Sequence, residues 1–214
     1  MKYEAVIFDL DGTLLDTLED LRSSVNHALR MFGFPERSLE EIRTFVGNGV
    51  RNLMLKAVPG GADEPRFEEI FAEFKRYYAV HWREVTCPYA GVVELVEGLH
   101  RKGLKLAVVS NKSDAEVKNL CAEFFGGNIL IARGEVPGVP RKPAPDGVLL
   151  ALESLGVSRE KALYIGDSEV DVRTARNAAV DCVAVTWGFR SREELEAEGA
   201  TVFIDQPSEL LSLI

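Results

Sequence analysis

An α/β fold built on a doubly wound parallel sheet, with a helical unit inserted after its first strand, is the class that three observations predict. The run Ala5-Val6-Ile7-Phe8 stops abruptly at Asp9-Leu10-Asp11-Gly12-Thr13. It is short and rich in Val, Ile and Phe, which suits a strand covered on both faces better than a helix. From Asp16 to about Val85 the apolar residues keep helical spacing, with no convincing strand. From Cys87-Pro88-Tyr89-Ala90-Gly91 onward helices and strands alternate, which implies right-handed crossovers and an open, Rossmann-like sheet. The expected organisation is a core of residues 1–15 and 86–214 and a helical unit of residues 16–85.

The elements follow in order. Leu18, Leu21, Val25, Ala28, Leu29 and Phe32 recur at helical spacing and Gly33 ends the segment. Leu39 to Val46, Val50 to Val58 and Phe67 to Trp82 are also helical in period, broken by Gly47, Gly49, Pro59-Gly60-Gly61 and Pro65. In the core, helices are expected at Val92 to Lys102, Ala115 to Phe124, Ala144 to Leu155, Val170 to Ala179, Arg192 to Glu198 and from Ser208. Strands are expected at Leu104 to Val109, Ile129 to Ala132, Ala162 to Ile165, Cys182 to Val185 and Thr201 to Ile204. No internal repeat, low-complexity tract or long linker interrupts them.

A chain of 214 residues accommodates one large domain or a domain with an insertion. With 46% hydrophobic and 28% charged residues it reads as an ordinary soluble globular protein. No apolar stretch approaches the roughly 20 residues that span a bilayer. Met1-Lys2-Tyr3 leads into the first strand without a signal-peptide pattern, so a cytoplasmic protein is expected. Cys87, Cys121 and Cys182 are odd in number, widely spaced and without C-x-x-C or His partners, which argues for buried thiols against disulfides or zinc. A net charge of −9 disfavours nucleic-acid and anionic-membrane partners. An anionic substrate would need positive charge concentrated locally, through a metal or a few placed Lys and Arg residues.

Ligands of such sheets bind beyond the carboxyl ends of the strands, and the polar residues fall there. Successive strand residues alternate faces, so Asp9 and Asp11 point the same way. Gly12 lets the backbone turn, and Thr13 offers a hydroxyl. Two carboxylates this close call for a cation or a shared proton, and a divalent metal is the natural third party. Ser110-Asn111-Lys112 ends one strand with a hydroxyl, an amide and a helix N-terminus suited to phosphate oxygens. Gly166-Asp167-Ser168-Glu169-Val170-Asp171 ends another, with Asp167 and Asp171 on one face if the helix begins between them. Arg141-Lys142-Pro143-Ala144-Pro145-Asp146 holds Lys142 before a helix. Taken singly these are a turn of solvated aspartates, helix caps at Ser110 or Ser113, acids at a helix N-terminus and a surface lysine. Together they gather at the one sheet edge assigned to ligands.

The set Asp9-Leu10-Asp11-Gly12-Thr13, Ser110-Asn111, Lys142-Pro143 and Gly166-Asp167-Ser168-Glu169-Val170-Asp171 resembles, in order and spacing, the four motifs of the haloacid dehalogenase superfamily of phosphotransferases. The resemblance covers the whole chain. The helical unit resembles that superfamily's C1 cap, and Phe45-Val46-Gly47-Asn48-Gly49-Val50 with Val185-Thr186-Trp187-Gly188 resembles its phosphoglycolate phosphatases. Ser110 stands where Thr is common in that subgroup and Ser113 where Pro is common, which keeps the hydroxyl and the cap; Ala179 stands where Gly is usual and Gly147 where Pro is, which touches no catalytic role.

The resemblance implies a two-step phosphoryl transfer in which Asp9 is the nucleophile and Asp11 the general acid and then base. It places Mg²⁺ on Asp9, the backbone carbonyl of Asp11 and Asp167, with Asp171 orienting metal waters or Lys142. Lys142 and Ser110, with N–H groups near Gly12 and Thr13 and the Asn111 amide, would bind the phosphoryl oxygens. Asn48 and Arg51, around the Gly47 and Gly49 break, are expected to choose the substrate, a small phosphorylated metabolite such as 2-phosphoglycolate; Gly47 and Gly49 could equally do no more than separate two helices. Pyrophosphate or a sugar phosphate would suit an Arg in a small pocket as well. A phosphomutase would use the same Asp9 phosphoenzyme, and a receiver-like or phosphate-binding regulatory module is the non-enzymatic alternative. A dinucleotide site is excluded, because no G-x-G-x-x-G follows the first strand.

Overall fold

The strand β1 (Ala5–Phe8) has four side chains, all buried, and it lies at the centre of the sheet. In the computed structural model, which describes residues 2–214, the sheet runs β5-β4-β1-β6-β7-β8. These strands are β4 (Lys105–Ser113), β5 (Ile131–Glu135), β6 (Ala162–Gly166), β7 (Asp181–Val185) and β8 (Phe203–Ile204), and every ladder is parallel. Ile7 lies in register with Ala107 on one side and Tyr164 on the other. From β1 the chain builds outward through β4 and β5, then returns to add β6, β7 and β8 on the far side. The strand order therefore reverses at β1 and β6, and that switch point is where a doubly wound sheet opens a crevice.

Helices α5 (Val92–Arg101), α6 (Asp114–Phe125), α7 (Asp146–Leu155), α8 (Glu169–Ala178), α9 (Arg192–Ala197) and α10 (Pro207–Leu213) cover this sheet. On one face Ala5, Ile7, Ala107, Val109 and Tyr164 pack with Val148, Ala151, Leu152 and Leu155 of α7 and Ala175 and Ala178 of α8. The alternation along β1 accounts for this, since residues 5 and 7 share a face.

The chain divides into two compact units, one from the N-terminal segment up to Leu15 with Pro88–Ile214, the other Asp16–Cys87. The two-residue strands β2 (Leu15–Asp16) and β3 (Cys87–Pro88) mark the crossings. The second unit holds α1 (Leu18–Met31), α2 (Leu39–Phe45), α3 (Gly49–Ala57) and α4 (Phe67–His81). A Ser38/Glu41 capping box starts α2, satisfying two otherwise orphaned backbone donors. Leu21, Val25, Leu29, Ile42, Leu53, Met54, Ile70 and Phe74 are among its fully or almost fully buried side chains. Asp20 ties the end of the unit to α1, accepting hydrogen bonds from the backbone of Val85 and Thr86 and from the Thr86 hydroxyl at 2.7 Å.

Several elements differ from the sequence-based expectation, and β8 is shorter than expected, running only over Phe203–Ile204. β4 runs past Val109 to Ser113 because, after an irregularity, pairing with β5 resumes at Ser113 and Glu135; Ser110, Asn111 and Lys112 thus lie within a strand. β5 itself begins at Ile131. α7 starts at Asp146, since Ala144 precedes a proline and is biased away from helical geometry. Among the thiols, Cys121 is buried and Cys182 half-buried, but Cys87 is exposed, because it sits in the crossing strand β3 rather than in a core element. Ala179 takes the left-handed conformation (φ 54°) at the end of α8, doing at some cost what a glycine does freely. Among the described residues no helix is long and apolar enough to cross a membrane.

Candidate active site

Four loops deliver polar side chains to the switch point. Asp9 follows β1 directly, and its Oδ1 accepts hydrogen bonds from the Leu10 backbone at 2.7 Å and from Lys142 Nζ at 2.8 Å. Asp167 follows β6 and is wholly buried; the Thr13 hydroxyl donates to its Oδ1 at 2.8 Å and the Phe189 N–H to its Oδ2 at 2.8 Å. Ser168 and Asp171 form the capping box that starts α8, with the Ser168 hydroxyl 2.5 Å from Asp171 Oδ2. Asp171 Oδ1 also accepts from Lys142 Nζ at 2.8 Å and from the Tyr164 hydroxyl at 2.9 Å, while Lys142 donates to that hydroxyl at 3.0 Å. Lys142 is thereby held by three partners from three elements.

Glycines make the approach possible. Gly12 has φ 87°, and a Cβ there would sit 2.2 Å from Asp167 Oδ2. Gly188 leaves the same room on the other side of Asp167. The Trp187 indole N–H donates to the Thr13 carbonyl at 3.0 Å, so residues 187–189 brace both the loop after β1 and Asp167.

Burial and crowding act strongly on the charges. Burial pushes the Asp9 carboxyl well above its ordinary value, and Asp171 and Asp167 push the same way against Lys142. Burial and Asp171 raise Asp167 from 3.8 to about 7. Burial alone would raise Asp171, but Lys142, Ser168 and Tyr164 outweigh it and hold that carboxyl below its usual range. Lys142, despite its burial, is raised by the two carboxylates and stays charged.

Asp9, Asp167 and Asp171 each offer a carboxylate oxygen within 4.8 Å of the others. Three buried carboxylates against one lysine leave an anionic excess, and two of the three are pushed towards protonation when nothing else neutralises them. Hard oxygen donors in that arrangement fit a small divalent cation such as Mg²⁺. Both oxygens of Asp171 are already hydrogen-bonded, which suits it to orienting Lys142. The Asp11 carboxylate stands apart from the trio, and its Oδ1 accepts from Lys112 Nζ at 3.0 Å.

Ser110 is buried and its Oγ accepts from the Lys112 backbone at 3.2 Å. The Asn111 amide donates to the Lys142 carbonyl at 3.1 Å, so it braces the lysine-bearing loop. In the helical unit Asn48 is the N-cap residue of α3, with Gly47 and Gly49 both at positive φ around it. Arg51 pairs with Glu68 and lies over the Phe67 and Phe71 rings at 5.2 and 5.3 Å. Two residues have no role in the sequence analysis: Lys112, which appears there only as the end of Ser110-Asn111-Lys112, and Tyr164, which appears only within the strand ending at Ile165.

Comparison with known proteins gives one consistent picture. Residues 6–185 match the family described as haloacid dehalogenase-like hydrolase. Phosphoglycolate phosphatase of Pseudomonas putida is 34% identical over 214 residues, covering 96% of this chain and 78% of that protein. The phosphoglycolate phosphatase of Aquifex aeolicus is 32% identical, covering 98% and 95%. A crystal structure from Lactobacillus delbrueckii subsp. bulgaricus superposes with a TM-score of 0.95 at 40% identity, covering 100% of this chain and 99% of that one.

Proposed function

Since the chain belongs to the haloacid dehalogenase-like hydrolases, we propose that it is a Mg²⁺-dependent phosphatase that hydrolyses a small anionic phosphomonoester, 2-phosphoglycolate, through an aspartyl-phosphate on Asp9. The observation that carries this reading is the convergence of the buried Asp9 carboxylate with Lys142 at 2.8 Å and with Asp167 inside one 4.8 Å cluster. The choice of 2-phosphoglycolate is supported by the names of similar proteins, the phosphoglycolate phosphatases of Pseudomonas putida and Aquifex aeolicus.

In the first half of the reaction an Asp9 oxygen attacks phosphorus in line, the ester P–O bond breaks, and Asp11 gives its proton to the leaving oxygen. In the second half Asp11 takes a proton from the attacking water, the bond from phosphorus to Asp9 breaks, and phosphate leaves. Lys142 and Ser110, with N–H groups near Gly12 and Thr13, bind the phosphoryl oxygens. Mg²⁺ would be held by Asp9, Asp167 and the Asp11 backbone carbonyl, and when bound supplies charge neutralisation for the phosphoryl oxygens. On this reading Asn48 and Arg51 take part in choosing the substrate, with Arg51 exchanging Glu68 for a substrate anion.

A phosphate-release screen over 2-phosphoglycolate, pyrophosphate, sugar phosphates and nucleotides, with and without Mg²⁺, tests the proposal. 2-Phosphoglycolate is expected to give the highest kcat/KM, with phosphate and alcohol released in equal amounts. Turnover that ignores EDTA, return of the phosphoryl group to substrate, or no turnover on any ester would overturn it.

The charges also predict a pH-dependent response to the cation. A carboxyl whose folded pKa is raised stabilises the fold fully below its unfolded value and loses that contribution as pH rises through the folded value. For Asp167 that window runs from 3.8 to about 7. Cation-free protein is therefore expected to lose thermal stability across it, and Mg²⁺ to raise Tm at pH 8 but little at pH 5, where the cation competes with protons. At a hundredfold excess over Kd the gain is about 2.7 kcal/mol. Equal Mg²⁺ shifts at the two pH values would count against these carboxylates as its ligands.

A further inference from the structure

The pair formed by Asp11 and Lys112 joins residues 101 positions apart, from the loop after β1 and the end of β4. The lysine side chain is 2% exposed and that of Asp11 16%. A lysine is rarely buried to this degree unless it is paired. We infer that Lys112 is a positioning residue that fixes the Asp11 carboxylate by its Oδ1, so that Oδ2 is the oxygen that gives and takes the proton in both halves of the phosphoryl transfer. The inference rests on the reading of Asp11 as the acid and base.

Three observations support it. Lys112 Nζ meets Oδ1 at 3.0 Å, whereas Oδ2 has no hydrogen-bond partner among the described residues. The lysine is anchored through its own backbone, whose N–H donates to Ser110 Oγ at 3.2 Å. β5 packs so closely on this segment that a Cβ on Gly134 would lie 2.5 Å from the Lys112 carbonyl oxygen. An aspartate side chain in a loop has several staggered positions, and a proton donor helps only when its oxygen lies within hydrogen-bond reach of the reacting atom. A cation delivered by the same strand that carries Ser110 couples the position of the acid to that of a phosphoryl-binding hydroxyl.

The proton balance gives a distinctive signature. An alkyl phosphate needs the Asp11 proton on its leaving oxygen, whereas p-nitrophenolate leaves without one. Hydrolysis of the phosphoenzyme needs Asp11 as base with either substrate. Lys112→Met is expected to lower kcat on an alkyl phosphomonoester about 30- to 100-fold with KM within threefold. With p-nitrophenyl phosphate it is expected to accumulate acid-trapped phosphoenzyme, because formation outruns hydrolysis. Lys112→Arg is expected to restore a good part of the loss. In an Asp11→Asn background Lys112→Met should cost nothing further, since both act through one carboxylate.

Several outcomes would overturn the inference: a change in KM alone, losses that multiply in the double variant, or no phosphoenzyme in Lys112→Met. Should Lys112→Met not fold, Lys112→Gln, uncharged and of similar length, carries the same comparisons, and Lys112→Arg with wild-type kinetics would then count for the inference and with Met-like loss of folding against it. Asp11→Asn at wild-type kcat would instead remove the role of Asp11 itself. Loss in Asp11→Asn with none in Lys112→Met removes the role of Lys112 alone.

Discussion

Asp9→Asn is expected to yield a folded protein without turnover and without a trapped phosphoenzyme. The amide fills the same space after β1, but it cannot attack phosphorus, and removal of a covalent nucleophile costs several orders of magnitude in kcat. Activity above about 1% of wild type would remove Asp9 from that role. The substitution is also expected to leave Tm unchanged or higher at pH 8 without Mg²⁺. Burial together with Asp171 and Asp167 works against an ionised Asp9, and a neutral side chain relieves that repulsion. A fall in Tm would mean that the Lys142 contact at 2.8 Å outweighs the crowding. Loss of function with gain of stability is the usual mark of a site arranged for chemistry.

Lys142→Met is expected to fail in both respects. It removes the buried cation shared by Asp9, Asp171 and Tyr164, and breaking a buried ion pair from one side costs about 3–5 kcal/mol. Urea denaturation at pH 8 measures that loss. The turnover lost is on the order of 10³-fold, the range for removing a cation from a phosphoryl-transfer site. The pH profile of stability should change as well. Asp171 is held below its usual range in the wild type, so its contribution is present above the unfolded value and is lost as pH falls through the folded one. Without Lys142 the burial of Asp171 is uncompensated, and the variant should instead become more stable as pH falls towards 5. A variant whose stability is unchanged at both pH values would show that Lys142 is not the group holding these carboxylates.

The sheet was legible because its signals are local. Val, Ile and Phe in β1 and the recurrence of short apolar runs between helical segments declare a buried parallel sheet, and Asp9 and Asp167 stand at strand ends where such a sheet presents ligands. Lys112 was not legible, because whether a strand stops at Val109 or continues to Ser113 depends on its neighbour, β5, and a ladder with a register shift leaves no mark in one strand alone. Tyr164 was hidden for a related reason: its ring belongs to the apolar cluster under α7 and α8, and only its hydroxyl reaches Lys142 and Asp171. The start of α7 was misplaced because Ala144 and Pro145 read as apolar residues in helical period while proline geometry delays the helix. Arg51 was expected to serve a ligand, and its Glu68 partner arises from helix packing that spacing does not reveal.

The central position of β1 has a consequence for how the protein is made. Its lateral neighbours β4 and β6 both lie far downstream, and the contact of Thr13 with Asp167 spans 154 residues. Synthesis proceeds at about 5–20 residues per second, so β1 waits on the order of 8 to 30 seconds for the residues that complete its surroundings. During that interval Asp9 has neither Lys142 nor Asp167, and a nascent chain cannot transfer a phosphoryl group. Activity begins only when the sheet closes around its first strand.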